Sequence, residues 1–301
     1  MNILLLGTKQ TSDNHEDYYL DYVKFFEVAG SYADTQLQVE YCMLEELFFT
    51  IGDGDFHIVN TRSQKDIKDY DFVMIRGSIR AFIEEAKVVS MYLQLHNKAV
   101  VNDYSNFRSS SKLVQALQFQ VNGLPVATTV LLNAATQGQL DKLPFSYPCI
   151  MKATYGSHGN NNYLVESSEM VQQHLRENPD LKFVLQRFVP NDGDYRILVI
   201  DDDTLVIKRS AIAGSHLNNT SQGGSADVVE LDSLPAAIHE QAREIVKYLG
   251  MSIAGVDVLY DPKSGEFSFL EVNAQPQLMS GAFVQKKAEM FGRYLKKLNT
   301  R

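Results

Sequence analysis

Two carboxylates far along the chain are spaced so that a hairpin would set them face to face. One apolar run reads Ile253-Ala254-Gly255-Val256-Asp257-Val258-Leu259-Tyr260, and a second reads Phe267-Ser268-Phe269-Leu270-Glu271-Val272-Asn273. Between them, Asp261-Pro262-Lys263-Ser264-Gly265-Glu266 carries the Pro and Gly punctuation of a turn. With Ser264 at the centre, Asp257 lies seven residues before it and Glu271 seven after, so the two are cross-strand partners. Strand side chains alternate, which puts Asn273 on the face of Glu271. Carboxylates about 5 Å apart repel by about 3 kcal/mol at an effective dielectric near 20. A divalent cation converts that repulsion into binding, and three oxygen-bearing side chains suit Mg²⁺. The competing expectation is a solvent-exposed hairpin that is merely acidic.

Positive charge lies upstream. Lys152 ends an apolar run and is followed by Ala153-Thr154-Tyr155-Gly156-Ser157-His158-Gly159-Asn160-Asn161-Asn162. Glycine and asparagine accept left-handed backbone angles, so such a loop can turn its amides toward one point and hold phosphate oxygens. A plain hairpin turn beside a snorkelling lysine is the alternative. Arg196 and Arg209 are either surface arginines on strands or fixed cations, and Asp194 either caps a turn or meets a ligand. His158 is read as a hydrogen-bonding loop residue, with proton transfer as its other role. Arg76 ends an N-terminal strand, where doubly wound sheets place ligand groups; a substrate carboxylate competes there with a structural salt bridge.

The elements that must position these groups alternate between strand and helix. At 301 residues, 45% hydrophobic and 22% charged, the chain can bury a sizeable core and divide into two or three units. Met1 to Gly7 is too short for a signal or membrane segment and reads as a buried strand from Ile3. A helix is expected over about 15–29, stopped by Gly30, followed by a strand at 72–76, a helix near 81–96 and a strand at 99–101. The acidic, aromatic stretch from Glu40 to Gly54 shows no clear period. A helix to Asn122 should bury Leu113, Val114, Leu117 and Val121. Short strands follow at 126–132, 148–152, 163–165, 183–188, 195–200 and 205–209, with helices at about 168–177, 235–249 and 281–298. Two distant cysteines, Cys42 and Cys149, lack metal spacing and fit a reducing cytosol, and a net charge of −9 argues against nucleic acid as a partner.

Seven blocks occur in one order: Asn102 with Ser110-Ser111-Lys112; Pro148-Cys149-Ile150-Met151-Lys152; Gly156-Ser157-His158-Gly159; Leu185-Gln186-Arg187-Phe188-Val189; Gly193-Asp194-Tyr195-Arg196; Lys208-Arg209 with Asn219-Thr220-Ser221-Gln222-Gly223-Gly224; and the acidic hairpin running on to Pro276. Over about residues 100–280 this order resembles the ATP-grasp superfamily, and within it the RimK-like carboxylate–amine ligases, of the ribosomal-protein glutamate ligase and glutathione synthetase type. The departures are Ser111 for an acidic residue, His158 for a common Gln, Asn161 for a third Gly, and Gln277 for a common Gly.

The resemblance implies an α/β chain with a doubly wound N-terminal domain at 1–101. An ATP-grasp domain of α+β character at 102–301 would hold the nucleotide between two antiparallel sheets, with 126–188 as the lid and 189–301 as the metal-binding part. It implies ATP phosphates on Lys112, Lys152, Gly156, Ser157, His158 and Gly159, adenine read by the backbone of Gln186, Arg187, Phe188 and Val189, and ribose on Asp194. Arg196, Arg209 and Asn219 would serve the transferred phosphoryl group. Asp257, Glu271 and Asn273 would hold two Mg²⁺ ions, replaceable by Mn²⁺, and Arg76, Gly223 and Gly224 would meet substrate. The implied chemistry activates a carboxylate as an acyl-phosphate and joins it to the amine of an amino acid or peptide, releasing ADP and phosphate. A macrocyclase acting on a precursor peptide and a nucleotide-binding module without turnover remain as alternatives. A cytoplasmic enzyme is expected, with no nucleic-acid or membrane partner and with homo-oligomerisation open.

Overall fold

Ile3 to Leu6 is an unbroken apolar run, which a strand covered on both faces can bury, and all four residues are fully buried. The computed structural model describes residues 1–8, 15–107, 111–156, 161–189, 191, 193–210, 225–230, 233–281 and 283–299. The N-terminal third contains β1 (Asn2–Gly7), α1 (His15–Ala33), β2 (Gln38–Met43), β3 (Leu47–Gly52), β4 (Asp55–Asn60), β5 (Lys65–Asp66), β6 (Phe72–Ile75), α2 (Ile83–Leu95) and β7 (Ala99–Val101). A parallel sheet of order β2-β1-β6-β7 forms its centre, and β3-β4-β5 make a small antiparallel sheet beside it.

One expectation fails here for a local reason. The first helix does not stop at Gly30 but runs to Ala33, where Asp34 takes the left-handed turn (φ 51°). Gly30 is there for space: a Cβ would lie 3.0 Å from the Thr35 carbonyl of the returning chain. The unplaced 40–54 stretch supplies most of β2 and all of β3, and Asp53-Gly54, both at positive φ, form the two-residue turn into β4.

The remainder contains α3 (Lys112–Val121), β8 (Thr129–Leu132), β9 (Cys149–Ala153), β10 (Asn162–Val165), α4 (Ser168–Glu177), β11 (Phe183–Arg187), β12 (Asp194–Ile200), β13 (Asp203–Ser210), β14 (Ser225–Val228), α5 (Ala236–Tyr248), β15 (Ile253–Tyr260), β16 (Phe267–Asn273) and α6 (Val284–Asn299). Two antiparallel sheets result, one of order β10-β9-β11-β8 and one of order β14-β13-β12-β15-β16.

Helix α3 turns a different face inward from the one its apolar residues suggest. Leu117 and Val121 are each 63% exposed, whereas Gln115, Gln118 and Phe119 are buried. The cause is what α3 covers: β16 is a sheet edge, whose backbone needs hydrogen bonds as much as apolar cover. Gln115 supplies both, accepting from the Val272 N–H (2.8 Å) and donating to the Val272 carbonyl (3.2 Å).

Helix α6 packs on α1 and beneath the N-terminal sheet. Phe291 meets Phe25, Phe26 and Phe72 with ring centroids 5.6, 5.5 and 6.3 Å apart, in one core with Ile3, Leu198 and Ile207. Gly292 permits the approach, since a Cβ there would lie 2.5 Å from the Ala29 carbonyl oxygen. No described helix is long and apolar enough to cross a membrane.

Candidate active site

The hairpin of β15 and β16 pairs Asp257 with Glu271 and Gly255 with Asn273, but it does so through an irregularity. Near the turn the pairs are Tyr260–Phe267, Leu259–Ser268 and Val258–Phe269, a register that would continue to set Asp257 opposite Leu270. A bulge inserts Leu270 as an extra residue and carries Glu271 and Asn273 round to the face of Asp257. The hairpin is not solvated: Asp257 is 3% exposed and β15 is buried up to its final residue.

Register across the sheet builds a row of alternating charge. Arg209 on β13 is opposite Asp194 on β12, and Arg196, two residues further on β12, is opposite Asp257. Cross-strand partners share a face, so Arg209, Asp194, Arg196, Asp257, Glu271 and Asn273 lie on one side of the sheet. The two arginines bind as forks. Arg209 donates to both Asp194 oxygens (2.7 and 2.6 Å), and Arg196 donates to both Asp257 oxygens (2.7 and 2.7 Å). Arg209 also reaches Asp257 at 2.9 Å, and Asn273 Nδ2 donates to Glu271 Oε1 at 3.0 Å.

This corrects the expected electrostatics of the hairpin. Asp257 does not face Glu271 uncompensated, because two guanidinium groups already hold its charge. Burial pushes the Asp257 carboxyl up, but Arg196 and Arg209 more than offset it and hold it down at about 2. Burial, with the Asp257 charge nearby, pushes the Asp194 carboxyl up against the pull of Arg209. Arg209 is buried and Arg196 half-buried, so neither is a surface arginine. Gly193 fixes the junction: at φ 150° a Cβ would collide with the Arg209 carbonyl oxygen.

Lys152 faces this row from the other sheet, with Lys112 near it at the start of α3. Lys152 on β9 is lowered by burial, and then by Lys112, against the pull of Glu271, Asp194 and Asp257. Its ammonium therefore feels three carboxylates of the central sheet. Lys112 opens α3, and its Nζ donates to the Gly156 carbonyl (3.2 Å) while its backbone N–H donates to Thr154 (2.9 Å). Gln186 is buried and its amide donates to Thr129 Oγ1 at 3.0 Å. Arg187 is exposed at the end of β11, where Phe188 and Val189 begin the passage to the central sheet.

Arg76 makes no salt bridge among the described residues. It is 5% exposed and donates to the Tyr22 hydroxyl (2.5 Å) and the Pro276 carbonyl (2.5 Å). Ser157, His158, Gly159, Asn219, Gly223 and Gly224 lie outside the described residues.

Two groups that frame the site lie in the quoted blocks, but sequence reasoning gave them no role. The Asn102 side chain donates to the carbonyls of Ile253 and Ala274 (both 2.8 Å) and accepts from the N–H groups of Ser252 (3.0 Å) and Ile253 (2.9 Å). Gln275, two residues past Asn273, donates to Tyr104 (2.6 Å) and Ile75 (3.2 Å). Buried amide side chains that bridge remote backbone leave no periodic mark; the only signal was an amide beside each motif.

The donor set is one a hard cation accepts. Asp257, Glu271 and Asn273 bring carboxylate and amide oxygens to one face, and the Asn273 nitrogen is occupied by its bond to Glu271. No group of three or more His, Cys, Asp or Glu side chains placed to hold a metal occurs among the described residues.

Comparison with known proteins gives a consistent result. Residues 80–288 match the RimK-like ATP-grasp domain. A protein described as a "probable alpha-L-glutamate ligase" from Sodalis glossinidius is 31% identical over 220 residues, 70% of this chain and 72% of its own length. Another of that description, from Shewanella halifaxensis, is 29% identical over 227 residues, 73% of this chain but 48% of its own length. Among solved structures, ATP-grasp ligase PsnB complexed with minimal precursor, Mg and ADP superposes with a TM-score of 0.68, covering 99% of this chain and 98% of that one. At 16% identity that likeness speaks for the fold.

Proposed function

The chain belongs to the RimK-like ATP-grasp family, and from that premise we propose how its residues divide the work of an ATP-dependent carboxylate–amine ligase. A carboxylate oxygen attacks the γ-phosphorus of ATP, the bond to the β-phosphate oxygen breaks, and ADP leaves. A neutral amine then attacks the acyl-phosphate carbonyl and expels phosphate. The observation that carries the assignment is the charge row on the central sheet faced by Lys152, because phosphoryl transfer is stabilised mainly by fixed cations and positioning.

In this division Lys112 and Lys152 bind the nucleotide phosphates, with the Gly156 loop beside them. Phe188 and Val189, following Gln186 and Arg187, present backbone to the base. Arg196 and Arg209 border the transferred group. Asp194, both of whose oxygens accept from Arg209, orients that guanidinium. Asp257, Glu271 and Asn273 would hold Mg²⁺, which when bound would neutralise phosphate charge. The part at 126–188 closes over the part at 189–301 and excludes water from the acyl-phosphate. Arg76 stands at the substrate end.

Hydroxylamine, a strong small nucleophile, tests the mechanism without the true amine. With amino-acid pools as acids, it should yield a hydroxamate together with ADP and phosphate, and carboxyl-¹⁸O acids should deliver one labelled oxygen to the phosphate. Formation of AMP, or unlabelled phosphate, would rule out acyl-phosphate activation.

A further inference from the structure

Lys287, on the first turn of α6, has no place in the chemistry described so far. It is 3% exposed, and its Nζ donates to the Ser280 carbonyl at 3.0 Å. An ammonium has three donors, so two remain without an acceptor among the described residues, and no carboxylate there pairs with it. The charged group that acts on it is another cation, Arg196 of the charge row, so Lys287 borders the active face. Burial, and then Arg196, pushes its ammonium down to about 8, still protonated at neutral pH.

Arg76 repeats this pattern from the other domain. It too is buried, without a carboxylate partner among the described residues, and donates to a carbonyl of the same loop, that of Pro276. Two buried cations from opposite ends of the chain thus grip residues 274–281, the segment that leaves the metal-binding strand at Asn273. In the same segment Gln275 Oε1 is buried with no donor among the described residues. Backbone carbonyls offer only partial negative charge, and burying a full charge without a counter-ion is costly. A loop held this way is built to be completed by an anion.

We propose that Lys287 anchors a substrate carboxylate that the reaction does not consume, an inference that rests on the ligase assignment above. The class of substrate it selects is an amino acid or peptide with a free carboxylate beside its reacting group. Lys287 would then be a specificity residue, acting on affinity and not on the chemical step.

The test offers two pools, amino acids as free acids and the same amino acids as α-carboxamides, to wild type, Lys287→Met and Lys287→Arg. Binding is read from the shift in Tm with Mg²⁺ and a non-hydrolysable ATP analogue present, and turnover from ADP release. The free-acid pool should raise the Tm of wild type and of Lys287→Arg but not of Lys287→Met, and the carboxamide pool should raise none. In turnover, Lys287→Met should raise the apparent KM for free acids about tenfold or more, the loss of one charge-assisted hydrogen bond, with kcat little changed. A Lys287→Met enzyme that keeps both the Tm shift and the preference for free acids overturns the proposal, as does a wild type whose Tm is indifferent to the free acids. If the Tm shifts appear as expected but no pool releases ADP, the anchor stands and the ligase assignment falls.

Discussion

Replacing Asp257 by Asn tests whether the charge row is as tightly coupled as its geometry implies. Asp257 accepts from Arg196 at 2.7 Å through both oxygens and meets Arg209 at 2.9 Å, almost wholly out of solvent. Removing its charge leaves two guanidinium groups to share Asp194, and breaking a buried pair in this way costs about 3–5 kcal/mol. A carboxyl held at about 2 against an ordinary 3.8 gives an independent figure, about 2.5 kcal/mol. The second figure is smaller because burial opposes the arginines. The folded value lies below the unfolded one, so this contribution is complete above about pH 4 and is lost as pH falls toward about 2. Activity is a poor readout, since Asp257 is also a proposed metal ligand. Urea unfolding of metal-free protein at pH 7 is the better assay, combined with Arg196→Met and the double variant. Asp257→Asn should lose at least about 3 kcal/mol, and Arg196→Met should cost far less in that background than in wild type. A loss below about 1 kcal/mol, or additive single variants, would refute the coupling.

Lys152→Met should weaken ATP binding about tenfold or more, by removing a charge-assisted contact of roughly 1.5–3 kcal/mol; calorimetry with Mg²⁺ measures it. Glu271→Gln should fold normally and lose turnover at limiting Mg²⁺. Its metal-free Tm should change little, because Arg196 and Arg209 already hold the Asp257 charge, and a Mg²⁺ titration of rate alongside a melt separates the two effects. Gly193→Ala should cost about 2 kcal/mol or more in urea unfolding, since its Cβ would drive β12 and β13 apart at Arg209. Lys287→Met should stabilise the free protein at pH 7 by up to about 3 kcal/mol, the value of a shift from 10.5 to about 8. The folded value is the lower one, so the unfolded chain binds more protons between these pH values, and the advantage should shrink as pH rises from about 8 to 10.5.

The strands were legible because buried β-branched runs bounded by Gly and Pro admit few other readings. Their register was less secure. Counting outward from Ser264 pairs Asp257 with Glu271, yet the turn itself is centred half a residue earlier, and the Leu270 bulge restores the pairing. Nothing in the apolar pattern of Phe269-Leu270-Glu271 announces an extra residue. The same limit applies to α3, where periodicity marks Leu117 and Val121 as the inward face although a strand edge selected Gln115. The charge types of the site were readable as a list, but which arginine holds which carboxylate depends on the β12–β13 and β12–β15 registers. Nothing in the spacing sets Lys287 apart from the other lysines of α6, Lys286, Lys296 and Lys297.

The placement of α6 also sets an order of events during synthesis. The ribosome delivers β1, α1 and β6 long before residues 284–299, yet Phe25, Phe26 and Phe72 find their cover in Phe291. A nascent chain that has finished its first sheet still presents an uncovered aromatic surface while roughly two hundred further residues are made, on the order of ten seconds or more at usual elongation rates. The N-terminal third is therefore the part most in need of a holding chaperone. Chains cut short before α6 carry a permanently open core, which marks them for degradation rather than for slow, partial activity.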